Sequence, residues 1–571
     1  MKNLVVVRRV VRRVVRRVVR RVVRRGVRRV ILQALLVALI SCFAAAATPD
    51  KDPVLEAMRA ELERSKAQLK LDGVAAPYFL QYQVTDIDYR SAEAAFGAIR
   101  ANSPTRTRLV RVVVRIGDYK QDSYSESSNR GVGALNILPM DDDILALRHS
   151  LWLTTDNAYK SATEAFTAKQ AELKQFSVSS PVDDFAHALP LQSIEPLVRL
   201  EVDTEPFLKM LQDSTVGYRQ DPLTESCESY LKFFAINRYL INSEGTVTRS
   251  GQTMYQIEAD GSTQAADGMR LERSRSYLVA HANELPTEQK FLADTRELQS
   301  SLKMLRDAPL ADEEFRGPVL FSADAASDVF AQLVGENILG RAPDVGKPAR
   351  TKGAYATSYQ SRVLADFLSV EDDPSLASIQ GQSLLGHYAV DDEGVPAQKV
   401  QVIVKGKLQN YLIGREPIHD FPASNGHGRA RIGNPPGASL GNLIITSSDP
   451  MSAADLKKKL IEICQQRDLP YGYYVVTMGS RFSPRLLYKV WAKDGHEELV
   501  RGAVFGDLDT RSLRNDVIAA GNDLNVDNLM LNVPHSIVNP SILFDELEVK
   551  RADSNKDKLP EYPAPPLSDV K

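Results

Sequence analysis

The stretch Gly317 to Arg341, GPVLFSADAASDVFAQLVGENILGR, constrains the fold most: it reads as a short buried strand, a turn and one amphipathic helix. Ser322 is a good N-cap, because its hydroxyl accepts one of the backbone N–H groups that a helix start leaves without a partner. Asp324 stands in the first turn, where the helix dipole favours a negative charge. Ala326, Val329, Phe330, Leu333, Val334 and Ile338 recur at helical spacing, and Gly340 is a natural C-terminal stop. The plain consequence is a core helix.

Around that unit the chain is 571 residues long, enough for three or four domains at roughly 150 residues each. Hydrophobic and charged fractions of 43% and 25% allow a sizeable soluble core. The net charge of -2 conceals an asymmetry, since residues 1 to 46 hold Lys2, twelve Arg and no acid. With those 13 of the 71 basic residues set aside, 58 face 73 acidic ones, a balance of -15. The body is acidic and carries no long basic stripe, which argues against a nucleic-acid partner.

The first 29 residues repeat VVRR with small variations, and Val30 to Ile40 is an apolar run too short for a membrane span of about 20 residues. Ala44 to Ala47 then offers a cleavage site. Basic region, apolar region and small residues are the parts of an export signal, so residues 1–47 read as a leader and the protein as exported, periplasmic or held at a membrane. A cationic helix at a membrane surface, or a nucleic-acid tail, is the other reading of the repeat. Leu39-Ile40-Ser41-Cys42 also fits a lipobox that would anchor the chain through Cys42, and Arg28-Arg29-Val30-Ile31-Leu32 fits a loose twin-arginine pattern. Beyond the leader only Cys227 and Cys464 remain, read as separate buried thiols.

Residues 48–200 read as an N-terminal α/β domain. It has a helix from Pro53 to about Leu71, strands Tyr78–Thr85, Glu93–Arg100 and Arg106–Ile116, and a long helix from Asp141 to about Lys174. Ser177 to Pro196 is a linker or surface crossing. Residues 201–310 read as a central antiparallel segment: a helix near Thr204 to Thr215, strands Glu228–Asn237, Tyr239–Asn242, Thr253–Glu258 and Arg270–Ala280, and a helix Thr287–Asp307. Gly245, Gly251 and Gly261 are taken as turns. Residues 311–552 form the C-terminal domain and 553–571 a flexible tail.

The C-terminal domain carries the most specific boxes. Val390-Asp391-Asp392-Glu393-Gly394-Val395-Pro396 is a turn, followed by strands Gln398–Val404 and Leu408–Ile413 around Lys405-Gly406-Lys407. Ser424-Asn425-Gly426-His427-Gly428-Arg429 is a glycine-rich box ending in arginine. Arg501-Gly502-Ala503 and Gly521-Asn522-Asp523-Leu524-Asn525-Val526-Asp527-Asn528 come later, and a closing strand runs Ile542–Val549. In this order and spacing the boxes resemble the TldD/PmbA family of zinc-peptidase-related proteins, known as modulators of DNA gyrase. The resemblance implies an α+β fold whose C-terminal domain is an antiparallel β-rich, barrel-like body.

Peptide-cleaving members of that family carry HExxxH on the helix that corresponds to Ser322–Ile338. Here the gap-free register puts the two histidines on Ala331 and Glu336 and the glutamate on Gln332; sliding by one puts Gln332, Leu333 and Asn337 there. A zinc peptidase needs three protein ligands, an open position and a nearby carboxylate base. The family's cysteine ligand falls in an interval that reads Leu529-Met530-Leu531-Asn532-Val533-Pro534. The resemblance therefore implies no metal and a non-catalytic subunit that pairs with an HExxxH-bearing TldD-like chain and binds unfolded peptides. Zinc is expected only under the alternative, an active metallopeptidase with a rebuilt site; a binding or structural lipoprotein anchored at Cys42 is a further alternative.

None of the eight histidines pairs with another at i, i+4, and no GxSxG elbow occurs. His427 in its box, with Arg429 and Arg431 beside it, is the candidate substrate contact, since arginine can hold a peptide carboxylate through two parallel hydrogen bonds. The competing readings are a surface histidine and arginines that simply pair with acids of the sheet. Glu336 is a candidate base or an ordinary solvated helix-end residue.

Overall fold

The computed structural model describes residues 52–70, 73–124, 133–174, 182–343, 349–530, 532–553 and 557–565. The arginine repeat, the apolar run, the cleavage site, both leader motifs and Cys42 lie outside them, as do Leu531 and part of the tail. The chain divides into two units, Met1–Glu56 and Ala57–Lys571, and every sheet belongs to the second. Among the described residues no helix is long and apolar enough to cross a membrane.

The N-terminal half is organised by one seven-stranded sheet. Its strands are β1 (Phe79–Ala95), β2 (Ala98–Arg115), β3 (Ala134–Ile137), β4 (Gln192–Ile194), β5 (Thr224–Asn242), β6 (Val247–Gln264) and β7 (Arg270–Val279), in the order β3-β2-β1-β5-β6-β4 with β7 on β6. All pairings are antiparallel except the short β4–β6 contact. Helix α1 (Pro53–Gln68) precedes the sheet; α2 (Ile144–Leu173) packs on β2 and β3, and α4 (Glu288–Asp307) on β6 and β7, while α3 (Glu205–Ser214) lies against β1 and β5. Tyr82 and Val84 point to the helix side and are fully buried.

Two strand readings change. Glu93–Arg100 is a hairpin corner, because Phe96 and Gly97 take φ of 51° and 80° and reverse the chain between β1 and β2. Glu228–Asn237 and Tyr239–Asn242 are one strand, and Gly251 and Gly261 lie inside β6 instead of at turns. A side chain at Gly251 would come within 2.7 Å of Val198 Cγ1, and one at Gly261 within 2.8 Å of Leu302 Cδ1. These glycines permit close packing, which a sequence pattern does not distinguish from turning.

Among the described residues the C-terminal half holds two large sheets and two small two-stranded ones. β8 (Glu314–Phe321) is central in the larger, eight-stranded one, and α5 (Ala323–Leu333) follows it directly. The smaller, six-stranded sheet begins with β9 (Leu368–Asp372), β10 (Val400–Val404), β11 (Lys407–Leu408) and β12 (Asn442–Ser447). Helix α6 (Ala453–Gln466) leads to β13 (Tyr471–Met478), β14 (Pro484–Trp491), β15 (Glu497–Val500) and β16 (Val517–Gly521), all in the larger sheet. β17 (Asn525–Met530) and β18 (Pro534–Asn539) complete the smaller sheet, and β19 (Ile542–Arg551) pairs with β8. The fold is α+β as the boxes imply, but neither sheet closes, so the barrel-like expectation becomes two open sheets. The Leu408–Ile413 strand shortens to Lys407–Leu408.

α5 is wedged between the sheets, against β13 of one and β17 and β18 of the other. Ser322 caps it by accepting the Ala325 N–H at 3.1 Å, and Val329, Phe330, Val334 and Ile338 are fully buried. It ends at Leu333, short of Gly340. The chain tightens into a 3-10 turn at Gly335–Asn337, Asn337 Nδ2 donates to the Leu333 carbonyl at 3.0 Å, and Gly340 N–H pairs with the Leu412 carbonyl. Glu336 therefore sits on the turn beyond the helix. Cys227 and Cys464 are free buried thiols.

Candidate functional site

Three groups of residues meet around α5 and the glycine-rich box. The first is the degenerate motif. Strands β17 and β18 present to α5 the face defined by the pairs Asn525–Asn539, Asp527–Ile537 and Leu529–His535. Ser327 Oγ donates to Asn539 Oδ1 at 2.6 Å, and Asn539 Nδ2 donates to the Ala323 carbonyl at 2.8 Å, which pins the helix start on that face. One turn on, Ala331 and Leu529 both pack against the main core. Gln332 is exposed, and Glu336 is exposed with Arg341 Nη2 at 3.5 Å.

A methyl and an isobutyl group thus stand in the ligand region, and alkyl groups donate nothing to a metal. Among the described residues no three His, Cys, Asp or Glu side chains come together in a group that could hold a metal ion. The residues present do not fit the zinc site of the HExxxH pattern. One imidazole does reach this place: His535, one position past the interval where a cysteine was sought. It is 6% exposed, and its Nδ1 donates to the Val533 carbonyl at 2.9 Å, leaving the lone pair on Nε2. Burial lowers its pKa, partly offset by the Val533 contact and by the nearby Asp372 and Glu336 carboxylates. Sequence reasoning counts His535 among eight histidines and misses its role; its position beside that interval was the available signal.

The second group is a charged cluster. Asp324 and Asp328, one helical turn apart on α5, face Asp527 of β17, and Arg273 and Arg275 of β7 and Arg485 of β14 stand near them. Asp324 is exposed, Asp328 and Asp527 half-buried. Desolvation, then repulsion from Asp324 and Asp328, pushes Asp527 up to about 7. Desolvation and Asp324 push Asp328 to about 6, with Arg485 pulling the other way. Arg273 is held by Ser301 Oγ at 3.2 Å and by Thr477 Oγ1, and desolvation followed by Arg275 depresses its pKa. The cluster sets three carboxylates near three guanidinium groups. Only the i, i+4 spacing of Asp324 and Asp328 hinted at it in the sequence.

The third group is the box. His427, fully buried, has Nε2 3.1 Å from Asp372 Oδ1 and Nδ1 3.0 Å from both oxygens of Asn425. Asp372, also fully buried, accepts the Gly441 N–H as well. The DDEG turn folds onto the box: Asp391 accepts N–H groups from Glu393, Val395 and Gly428 at 2.8–3.0 Å, and Asp392 accepts from Ala430 N and Arg429 Nε. Burial and the neighbouring Glu393 raise the Asp391 carboxyl well above the usual range. Arg429 is 5% exposed and lies over the Tyr388 ring at 4.2 Å. Of the sequence candidates, His427 and Arg429 are interior and paired with acids, Arg431 is exposed, and Ala331, Gln332 and Glu336 line one end of α5.

Residues 315–551 match the family model of the PmbA/TldA metallopeptidase C-terminal domain. A search of curated proteins finds no match. Among solved structures, the chain is similar to TldE from Thermococcus kodakarensis, at 14% identity and a TM-score of 0.56 over 86% of this chain and 99% of that one. It is also similar to a candidate modulator of a DNA gyrase from Thermotoga maritima MSB8, at 14% identity and a TM-score of 0.55 over the same shares. A third, a candidate modulator of DNA gyrase from Bacteroides thetaiotaomicron VPI-5482, shows 13% identity and a TM-score of 0.55 over 88% of this chain and 99% of its own. At these identities the likeness concerns the fold.

Proposed function

Residues 315–551 make this chain a member of the TldD/PmbA family, and from that premise we propose that it binds extended peptides without hydrolysing them, as the non-catalytic partner of an HExxxH-bearing subunit. The observation that carries the reading is the packing of Ala331 and Leu529 on the core, where a zinc peptidase needs ligands. The charged cluster supports the binding half. Among the described residues β7 has β6 as its ladder partner, and we read its other edge as the place for an added strand, apart from Leu278, whose carbonyl accepts from Asn528 Nδ2 at 3.0 Å. Carboxylates on one side and guanidinium groups on the other suit basic and acidic side chains along an extended peptide.

The leader reading places both subunits outside the cytoplasm, with Cys42 as a lipid anchor in the variant form of that reading. The gyrase in the names of two similar structures stays with those proteins, because the body of this chain is acidic. One observation favours a rebuilt metal site: the Nε2 lone pair of His535 near Glu336. That supplies two groups where three ligands are required.

The test is to mix the purified chain with unfolded peptides, alone and with an HExxxH-bearing subunit from the same source. Binding without cleavage alone, and chelator-sensitive cleavage only in the mixture, is expected. Cleavage by the chain alone would refute the proposal.

A further inference from the structure

A groove beneath the loop that follows the glycine-rich box carries positive charge that its own acids do not match. Its floor is two neighbouring cross-strand rows of the seven-stranded sheet, Arg111–Gln83–Leu240 and Leu109–Thr85–Arg238. The DDEG turn and the loop that follows the glycine-rich box form its roof: Gln83 Nε2 donates to the Asp392 carbonyl at 2.5 Å, and the Arg111 guanidinium donates to the Gly433 carbonyl. The space between encloses about 700 Å³, solvent at its mouth included.

Arg111, Arg238, Arg249 and Arg431 line it against Glu195, Asp391 and Asp392. Three acids thus face four guanidinium groups, and both oxygens of Asp391 are already taken by the backbone N–H groups of Glu393, Val395 and Gly428. Asp392 already serves two arginines, with Arg429 Nε at 3.2 Å and Arg238 Nε at 3.8 Å. Burial depresses the pKa of Arg238, which Asp392 only partly restores, and burial likewise depresses that of Arg111. Behind the roof Arg429 Nη1 is buried without a hydrogen-bond partner. Arg431 is exposed and makes no ion pair among the described residues. A groove in this state gains by taking up an anion, since guanidinium pairs best with a planar carboxylate or with phosphate. Leu109 and Ile432 are half-buried beside the arginines and provide an apolar wall, which suits an amphipathic acid over a bare inorganic ion.

We propose that this groove binds the carboxylate end of an extended peptide, with Arg238 and Arg431 on the α-carboxylate and the last apolar side chain against Leu109 and Ile432. The assignment rests on the peptide-binding function proposed for the chain and names which end of the peptide is held.

The experiment uses the full chain and fluorescence anisotropy with one leucine-terminated extended peptide, made as the free acid and as the C-terminal amide. A charge-assisted pair predicts the free acid to bind about ten-fold tighter or more. Arg431→Gln, at an exposed position where the fold is not at stake, brings the acid down to the amide's affinity. Millimolar inorganic phosphate leaves the acid bound. Equal binding of acid and amide would overturn the groove assignment and leave peptide binding standing. Full displacement by phosphate would overturn it in favour of a general anion site. No binding of either peptide would overturn this assignment together with the peptide-binding reading.

Discussion

Asp527→Asn tests whether the acidic side of the charged cluster is under electrostatic strain. The Asp527 carboxylate accepts no hydrogen bond among the described residues, and Asp324 and Asp328 face it, so it is less favourable in the folded chain than in water. A folded pKa of about 7 against an ordinary 3.8 means that the folded chain holds a proton there that the unfolded chain has released. Stability from this group is therefore present below about pH 4, falls as pH rises towards 7, and is flat above. The gap corresponds to at most about 4 kcal/mol. Because Asp527 is half-buried and water screens part of the repulsion, the amide should recover about 1–2 kcal/mol at pH 8. Near pH 4 it should recover almost nothing, since the protonated acid and the amide are both neutral there. Urea melts of both proteins at pH 4.5, 6 and 8 check this. A variant advantage that does not grow with pH, or a variant less stable at pH 8, would refute the argument.

Three further outcomes are expected from the packing. Asp372→Ala strands the His427 ring and the Gly441 N–H in the interior and should cost about 2–4 kcal/mol, while Asp372→Asn, which keeps an acceptor, should cost less; thermal melts separate the two. Phe330→Ala opens a cavity between the two C-terminal sheets and should cost about 3–5 kcal/mol in the same assay. Gln332→Ala, at an exposed position, should leave both stability and peptide binding unchanged, as measured by melting and anisotropy.

Local features of this fold were legible because their causes are local. The Ser322 cap, the buried stripe Val329, Phe330, Val334 and Ile338, and the bounds of α2 and α4 derive from hydrogen bonding and period within one element. The end of α5 was misread because Gly340 is fixed by pairing with Leu412, a partner far along the chain. Gly251 and Gly261 looked like turns because a glycine's reason, here Val198 and Leu302, is not written beside it. The DDEG and glycine-rich boxes were found one by one, but that Asp391 and Asp392 hold the backbone of Gly428 and Ala430 needed the fold. So did the partner of His427, Asp372, which lies 55 residues away. The arginine groove was least legible: Arg111, Arg238 and Arg431 come from two strands and a loop, and only strand register lines them up.

The most direct test of the central claim is the zinc content of the purified chain, with peptide cleavage assayed in the same preparation before and after a chelator. The packing of Ala331 and Leu529 predicts far less than one zinc per chain and no chelator-sensitive cleavage. One tightly held zinc per chain together with cleavage that the chelator abolishes would contradict it.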